Sequence, residues 1–340
     1  MIAPAGHGQA ATFRGAGVIE LHPVPITPRP PGLARLRVDL CALCGSDKRL
    51  LSSGADVTPG HEIVGTITEL PSDAPHLQTG QRALVYIPLH CGRCPECTAG
   101  QTNRCVNLGG LVGWQTSGGF QSYVDVPARN LIPVPDDIES LVATLGLDTI
   151  GTAAHGIRMC AQALAELPPT AAVVGCGPLG MGSVAALTAL GVSEVWASEI
   201  SPARAAAAVG LGAHMLASPP PTRSFPLVVE ASGTRAARAL ALDMVRPGGA
   251  VLLLGESNDP LSMPATPSWR RTDAFYIRSF YFPLAEVPEN FALLRRIGAG
   301  LAARLCTIHP LTELPEIFKR FCAGELIKPV IRISQQGAIH

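Results

Sequence analysis

Neither sign of charge is in excess in this sequence: 26 Lys and Arg balance 26 Asp and Glu, for a formal net charge of zero. No long run of Lys or Arg occurs either, so the chain lacks the basic footprint of a nucleic-acid-binding protein. Charged residues make up only 15% of the chain against 47% hydrophobic residues, a balance that excludes intrinsic disorder. Internal repeats and low-complexity tracts are absent, and Pro219-Pro220-Pro221 reads as a tight loop rather than a linker. The opening stretch MIAPAGHGQAATFRG has no apolar core of signal-peptide length. One uncharged stretch, 170–192, is long enough to cross a bilayer. However, Gly175, Gly177, Pro178, Gly180 and Gly182 fall where a strand would turn into a helix, and we read it as a buried strand, turn and helix. A cytoplasmic protein with neither a nucleic-acid nor a membrane partner is expected.

What is present is enough chain for two domains, 340 residues. Up to about residue 150 the pattern is rich in strands. Leu36, Val38 and Leu40 alternate with Arg35, Arg37 and Asp39, which predicts a half-buried strand, and a second strand is expected over 63–70. The middle segment changes character. Strands at 171–174, 194–198, 227–230 and 250–254 alternate with helices at 178–190, 202–209 and 234–245. That alternation predicts a parallel, doubly wound α/β sheet. The tail predicts helices at 287–297 and 315–322 and a strand at 329–333. Between 211 and 227 the chain is short and rich in proline, which predicts a sheet trimmed on that side.

Ten cysteines are present, and four sit in one loop, 91–105: Cys91, Cys94, Cys97 and Cys105, spaced C-x2-C-x2-C-x7-C. In a chain of this size such spacing favours a metal over disulfides. Four thiolates close a tetrahedral shell around zinc and leave no open position, which describes a structural site. Their softness excludes magnesium and calcium; an iron–sulfur cluster and ordinary free or paired cysteines are the alternatives. A second constellation, Cys44-Gly45-Ser46-Asp47 followed by Gly60-His61-Glu62, brings a thiol and an imidazole that suit catalytic zinc once a third ligand is found. Taken singly, each is more often a buried core residue.

Gly175-Cys176-Gly177-Pro178-Leu179-Gly180 is a G-x-G-x-x-G turn that follows one expected strand and opens one expected helix. Gly175, Gly177 and Gly180 permit close backbone approach to a pyrophosphate, and the N-terminus of the helix begun by Pro178 and Leu179 faces its charge. Glu199 ends the next strand, where a carboxylate accepts from both adenosine ribose hydroxyls and repels a 2′-phosphate. This predicts NAD over NADP, with Arg204 partly offsetting the repulsion. A solvated loop carboxylate is the other reading of Glu199.

Taken together, these motifs resemble those of the zinc-dependent medium-chain alcohol and polyol dehydrogenases. Gly65, Gly118-Gly119-Phe120 and Ile327-Lys328-Pro329-Val330 match as well. The resemblance implies a GroES-like β-barrel catalytic domain over 1–150 and 290–340. A Rossmann dinucleotide-binding domain over 151–289 interrupts it, with the active site in the cleft. It implies Cys44, His61 and Asp148 as ligands of a catalytic zinc, Asp148 standing where many members have cysteine; a helix N-cap is its other reading. It implies Asp47 as the group that orients His61, Glu62 as a transient neighbour of the metal, and Ser46 as first proton acceptor. Thr152 then packs against the nicotinamide, and Lys328 contacts the cofactor pyrophosphate unless it is a surface lysine. Many members carry a histidine two residues after the aspartate; here Arg49 stands there, preceded by Lys48. Arginine is no base near neutral pH, so the proton relay ends elsewhere, and Arg49 binds a cofactor phosphate or is a solvated arginine.

The implied function is transfer of a hydride between an alcohol, secondary and on a polyol, sugar-like or cyclic compound, and NAD. Two zinc ions per chain, one catalytic and one structural, and a homodimer or homotetramer are expected. The alternatives are a C=C, C=N or redox-neutral reaction on the same scaffold, and a zinc-containing scaffold or regulator without catalysis.

Overall fold

The computed structural model describes residues 6–257, 259–263, 267 and 269–334; the outermost residues of the segments expected at the two ends, 1–5 and 335–340, lie outside the described residues. Contacts divide the chain into two units, Met1–Leu147 with Leu305–His340, and Asp148–Arg304.

The first unit grows from the strand Ala34–Ala42. Leu36, Val38 and Leu40 alternate along it and are all buried, as their spacing predicts. The opposite face is covered too: Arg35 is buried, and its guanidinium meets both Asp125 oxygens at 2.8 Å, the paired geometry that a buried cation needs. Beyond Leu40 alternation stops, because Cys41, Ala42 and Leu43 are all buried. The strand has run into the interior and carries Cys44 with it. A seven-stranded sheet forms around it in the order Cys306–Pro310, Lys328–Arg332, Ala34–Ala42, Glu62–Glu69, Arg82–Val85, Leu131–Pro133, with Tyr123–Val126 also paired on Ala34–Ala42. One edge of that central strand is therefore shared, residues 34–37 with Tyr123–Val126 and 40–42 with Lys328–Arg332. A separate hairpin, His7–Gly15 with Val18–Pro25, contributes Phe13, which stacks on Phe120 at 6.0 Å and meets Phe318 edge-on at 5.4 Å.

The second unit is the doubly wound sheet. Its six parallel strands lie in the order His214–Met215, Glu194–Ser198, Thr170–Val174, Phe225–Glu230, Val245–Leu253 and Phe275–Arg278. In chain order this reads 3-2-1-4-5-6, the arrangement of dinucleotide-binding sheets. Ser201 and Thr234 cap the helices Pro202–Gly210 and Arg235–Met244 with their side-chain oxygens, satisfying donors that have no partner within a first turn. The shortened segment is as expected: it keeps only the two-residue edge strand His214–Met215, with no helix between it and Phe225. The helix expected over 287–297 runs on, from Val287–Leu293 through a wider turn at Leu294–Gly298 into Ala299–Leu305. Gly298 and Gly300 disguise the continuation, since glycine disfavours helix, but burial of Leu294 and Leu301 outweighs that preference. The uncharged stretch 170–192 is the strand Thr170–Val174, a turn and the helix Pro178–Ala189. No helix among the described residues is long and apolar enough to cross a membrane.

That last helix is held close to the segment before it. A Cβ on Gly182 would sit 1.9 Å from the Thr149 carbonyl oxygen. Gly182→Ala should therefore force the helix outward and destabilise the protein by about 2–3 kcal/mol, read as a lower urea midpoint; an unchanged midpoint would contradict this packing.

Candidate active site and metal centres

The first site is organised by Asp47, which is fully buried. One of its oxygens, Oδ2, accepts from the Cys44 backbone N–H at 2.9 Å. The other, Oδ1, lies 3.1 Å from His61 Nδ1, an ion-pair separation whose angle falls short of hydrogen-bond alignment. With Nδ1 turned to Asp47, the opposite ring nitrogen of His61 is left for a metal. The chain reaches His61 through Gly60, at φ +97°, where a Cβ would lie 2.8 Å from Cys41 Sγ and 3.0 Å from the Phe120 ring. Only glycine tolerates both that conformation and that crowding.

Glu62 is buried and paired with the Lys328 ammonium, which also donates to the Leu43 carbonyl at 3.1 Å. Lys328 is therefore no surface lysine, and its charge is directed at Glu62. Asp148 begins a wide helical turn, Asp148–Thr152, and its Oδ1 accepts from the Thr152 hydroxyl at 2.8 Å. The ligand atoms of Cys44, His61, Glu62 and Asp148 all lie within 4.8 Å of one another. A thiol, an imidazole and two carboxylates at that spacing are a donor set that fits zinc. Ser46 stands two residues from Cys44, half-buried.

The electrostatics of this group are dominated by its anionic members. Burial alone would depress the His61 pKa, but Asp47 and Cys44 beside it hold it well above the usual imidazole range. The guanidinium of Arg49 lies over the Trp114 ring, 4.9 Å from its centroid, and the Trp114 ring is 6.0 Å from that of His61. Neither Trp114 nor this stack was apparent from spacing, because the loop that holds Trp114 carries no motif.

The second metal group is self-contained. Cys91, Cys94, Cys97 and Cys105 place their sulfurs within 4.8 Å of one another. Backbone N–H groups point at them: Cys91 N–H at the Cys105 sulfur and Cys94 N–H at the Cys91 sulfur, both 3.3 Å. Such donors stabilise thiolate. The Arg93 and Cys94 backbones bring the Cys91 thiol down to about 6, while burial next to other sulfurs raises Cys97 to about 12. One cation shared by all four relieves that imbalance.

The glycine-rich turn has the form of a cradle. Gly175, at φ +88°, packs where a Cβ would strike Ser232; a Cβ on Gly180 would lie 1.9 Å from the Gly175 carbonyl oxygen; beside Gly177 there is open space. Gly177 precedes the helix that Pro178 and Leu179 begin. Glu199 accepts backbone N–H groups from Cys176, Ile200 and Ser201 at 2.7–2.8 Å, so it is not merely solvated. Arg204 lies in the first turn of the next helix, half-buried. Glu230 was missed, being the last residue of an apolar strand. It is fully buried and its Oε1 accepts from Ser232 and Gly233 N–H at 2.7 Å, which shapes the loop packed on Gly175. Also missed was His155, whose Nδ1 is 2.8 Å from Glu286; Glu286 in turn holds Arg158. Burial would raise the Glu286 pKa, but His155 and Arg158 hold it below the usual range.

A glycine-rich turn on a doubly wound sheet, with a thiol–imidazole–carboxylate group and a four-cysteine loop, is the equipment of a metal-binding dinucleotide enzyme. Known proteins agree. Residues 30–136 match the family model of the alcohol dehydrogenase GroES-like domain. L-threonine 3-dehydrogenase of Xanthomonas campestris pv. campestris is 30% identical over 70% of this chain and 74% of its own. L-galactonate-5-dehydrogenase of Escherichia coli is 28% identical over 88% of this chain and 91% of its own. Among solved structures, an alcohol dehydrogenase of Thermus sp. ATN1 superposes with a TM-score of 0.84 at 27% identity, over 96% of this chain and all of that one. The chain belongs to the zinc-binding medium-chain dehydrogenase/reductase family, with an N-terminal GroES-like domain and a Rossmann-like nucleotide-binding domain.

Two outcomes follow from the metal groups. Cys94→Ser should lower zinc content by one ion per chain and lower the melting temperature while the other group keeps its metal; unchanged stability and zinc content would remove the loop from the metal-binding inventory. At the first group, the raised His61 pKa means that zinc displaces a proton. Zinc affinity of chelator-stripped protein should therefore fall as pH is lowered, as protons compete with the metal for the ring. Calorimetric titration reads this, and a pH-independent affinity would contradict it.

Proposed function

We propose that this chain is a zinc-dependent dehydrogenase that interconverts an alcohol and its carbonyl with NAD as the preferred cofactor. The alcohol is secondary and sits on a polyol, sugar-like or cyclic compound. The observation that carries this reading is the convergence of Cys44, His61 and Asp148, with Asp47 behind the first two. In it, Cys44, His61 and Asp148 hold the catalytic zinc and the four-cysteine loop holds a structural one. Zinc so held would supply Lewis acidity toward a substrate hydroxyl, and a bound nicotinamide would supply the hydride acceptor.

The protein's own groups have separate tasks. Asp47 orients His61 and, through the Cys44 backbone, the thiol beside it. Thr152 occupies one Asp148 oxygen, which directs the other toward the metal. Ser46 receives the substrate proton. Lys328 positions Glu62 and thereby sets how near that carboxylate comes to the metal; this replaces a pyrophosphate contact as its main role. Gly175, Gly177 and Gly180 cradle the pyrophosphate. Glu199 favours NAD by its charge, and Arg204, in the first turn of the next helix, softens that preference. The N- and C-terminal parts of the chain form the catalytic domain and the middle part the dinucleotide domain. Cysteines arranged as ligands suit a cytoplasmic, reducing setting.

An alcohol and polyol panel, followed by the absorbance of the reduced nicotinamide, tests the reading. Activity should favour NAD over NADP by about tenfold in kcat/KM, about 1.4 kcal/mol of discrimination. Glu199→Ala should lose most of that preference, and Asp148→Asn should reduce both zinc retention and turnover sharply, a neutral amide being the poorer ligand. A panel without any oxidation, or an Asp148→Asn variant with full zinc and activity, would overturn it.

A further inference from the structure

We infer that Glu230 is a positioning residue for the nicotinamide half of the dinucleotide, holding the loop 231–234 beside the glycine-rich turn as the support for that half. The inference rests on the reading above only for its cofactor. Strand register sets the frame. Ser198, Val174 and Glu230 lie side by side at the carboxyl ends of Glu194–Ser198, Thr170–Val174 and Phe225–Glu230. The glycine-rich turn follows the middle strand, so Glu199 follows the strand on one side of it and Glu230 ends the strand on the other. A dinucleotide crosses such a sheet at this point, where the strand order reverses. Its adenosine half belongs on the Glu199 side. The other half therefore falls to the loop after Glu230.

That loop is confined on both sides. The Ala231 N–H donates to the Val174 carbonyl at 2.9 Å. A Cβ on Gly175 would lie 2.8 Å from Ser232 Cβ, and a Cβ on Gly255 would lie 2.0 Å from the Gly233 nitrogen. Within that confinement, Ser232 and Gly233 both donate their N–H groups to Glu230 Oε1 at 2.7 Å. The other oxygen, Oε2, has no hydrogen-bond partner among the described residues. Arg238 and Arg278 act on the carboxylate through space, while they donate to the carbonyls of Asp259 and Leu253. A fully buried carboxylate with an idle oxygen is a destabilising way to hold a loop. Departures of that kind collect at functional sites. Both N–H bonds depend on the reach of Oε1, so reach rather than charge sets the loop.

Two substitutions separate reach from charge. Glu230→Asp keeps the charge but draws the oxygen back by one methylene, away from both N–H groups. Glu230→Gln keeps the reach and a carbonyl oxygen without the charge. Calorimetric titration of the full chain with NADH, and with ADP, which carries only adenosine and pyrophosphate, reads the outcome. Glu230→Asp should weaken NADH binding by about tenfold, the scale of losing a hydrogen bond to a charged acceptor, and leave ADP binding nearly unchanged. Glu230→Gln should stay close to wild type for both ligands. Equal losses for NADH and ADP mark general damage to the unit and overturn the inference. So does unchanged NADH binding in Glu230→Asp, or a loss in Glu230→Gln as large as that in Glu230→Asp. Wild-type protein supplies a measurement that needs no variant: hydrogen exchange of the Ser232 and Gly233 amides should slow with saturating NADH and not with ADP. An identical response to the two ligands overturns the inference. Failure of the dehydrogenase reading looks different: NADH and ADP divide as stated, yet no alcohol of the panel is oxidised. A wild type that binds no NADH overturns both.

Discussion

A single buried carboxylate organises the candidate active site. Asp47 has no exposure to water, and an unpaired charge in that position would cost several kcal/mol. It is satisfied by two groups from different parts of the chain, the Cys44 backbone N–H and the His61 ring. Meeting that demand draws the end of the strand Ala34–Ala42 against the start of Glu62–Glu69. It also aims the imidazole. Gly60 is the price in backbone conformation, a left-handed turn squeezed against Cys41 and Phe120.

The dinucleotide unit uses carboxylates in a related way. Glu199 and Glu230 each end or follow a parallel strand, and each gathers backbone N–H groups of a turn. Glu199 ties the next loop to the glycine-rich turn through Cys176. Glu230 shapes the loop whose Ser232 crowds Gly175. Burial raises the Glu230 pKa; the Gly233 and Ser232 N–H groups and the charges of Arg238 and Arg278 oppose it. Its folded-state proton is therefore held more tightly than in the unfolded chain. Any stabilisation from that proton is present below the ordinary carboxylate range and fades as pH rises through the raised value. The carboxylate at neutral pH is kept for the shape it imposes, at some cost in stability.

The two metal groups solve one problem at different ranges. The four-cysteine loop is short, and its backbone N–H groups are already turned toward the sulfurs. Little beyond the loop is required to assemble it. The other group joins residues 44, 61, 62 and 148, and it exists only when strands distant in sequence are in register. A short loop can assemble by itself; a group drawn from distant residues depends on neighbours, such as Lys328 beside Glu62 and Trp114 beside His61, that the rest of the fold supplies.

That difference of range also divides what could be read in advance. The alternation of Leu36, Val38 and Leu40, the strand–helix order from Thr170 to Leu253, the glycine turn and the four-cysteine spacing are local patterns, and the fold follows them. The grouping of Asp148 with Cys44 and His61 was legible only through resemblance, since nothing in the spacing between them encodes proximity. Lys328 was expected at the cofactor pyrophosphate, with a surface lysine as the other reading; its pairing with Glu62 was not foreseen, because it spans 266 positions. Trp114 and Glu230 carried no signal at all, one in an unpatterned loop and the other at the end of an apolar strand. By itself, then, the sequence determined the central strand Ala34–Ala42, the strand–helix alternation of the middle segment, the cysteine loop and the glycine turn, because hydrophobic period, turn chemistry and ligand spacing act over a few residues. Only the tertiary structure decided what surrounds the metal group: the Glu62–Lys328 pair and the Arg49–Trp114–His61 stack. Their geometry comes from strand register and core packing, which bring together side chains that the chain itself keeps far apart.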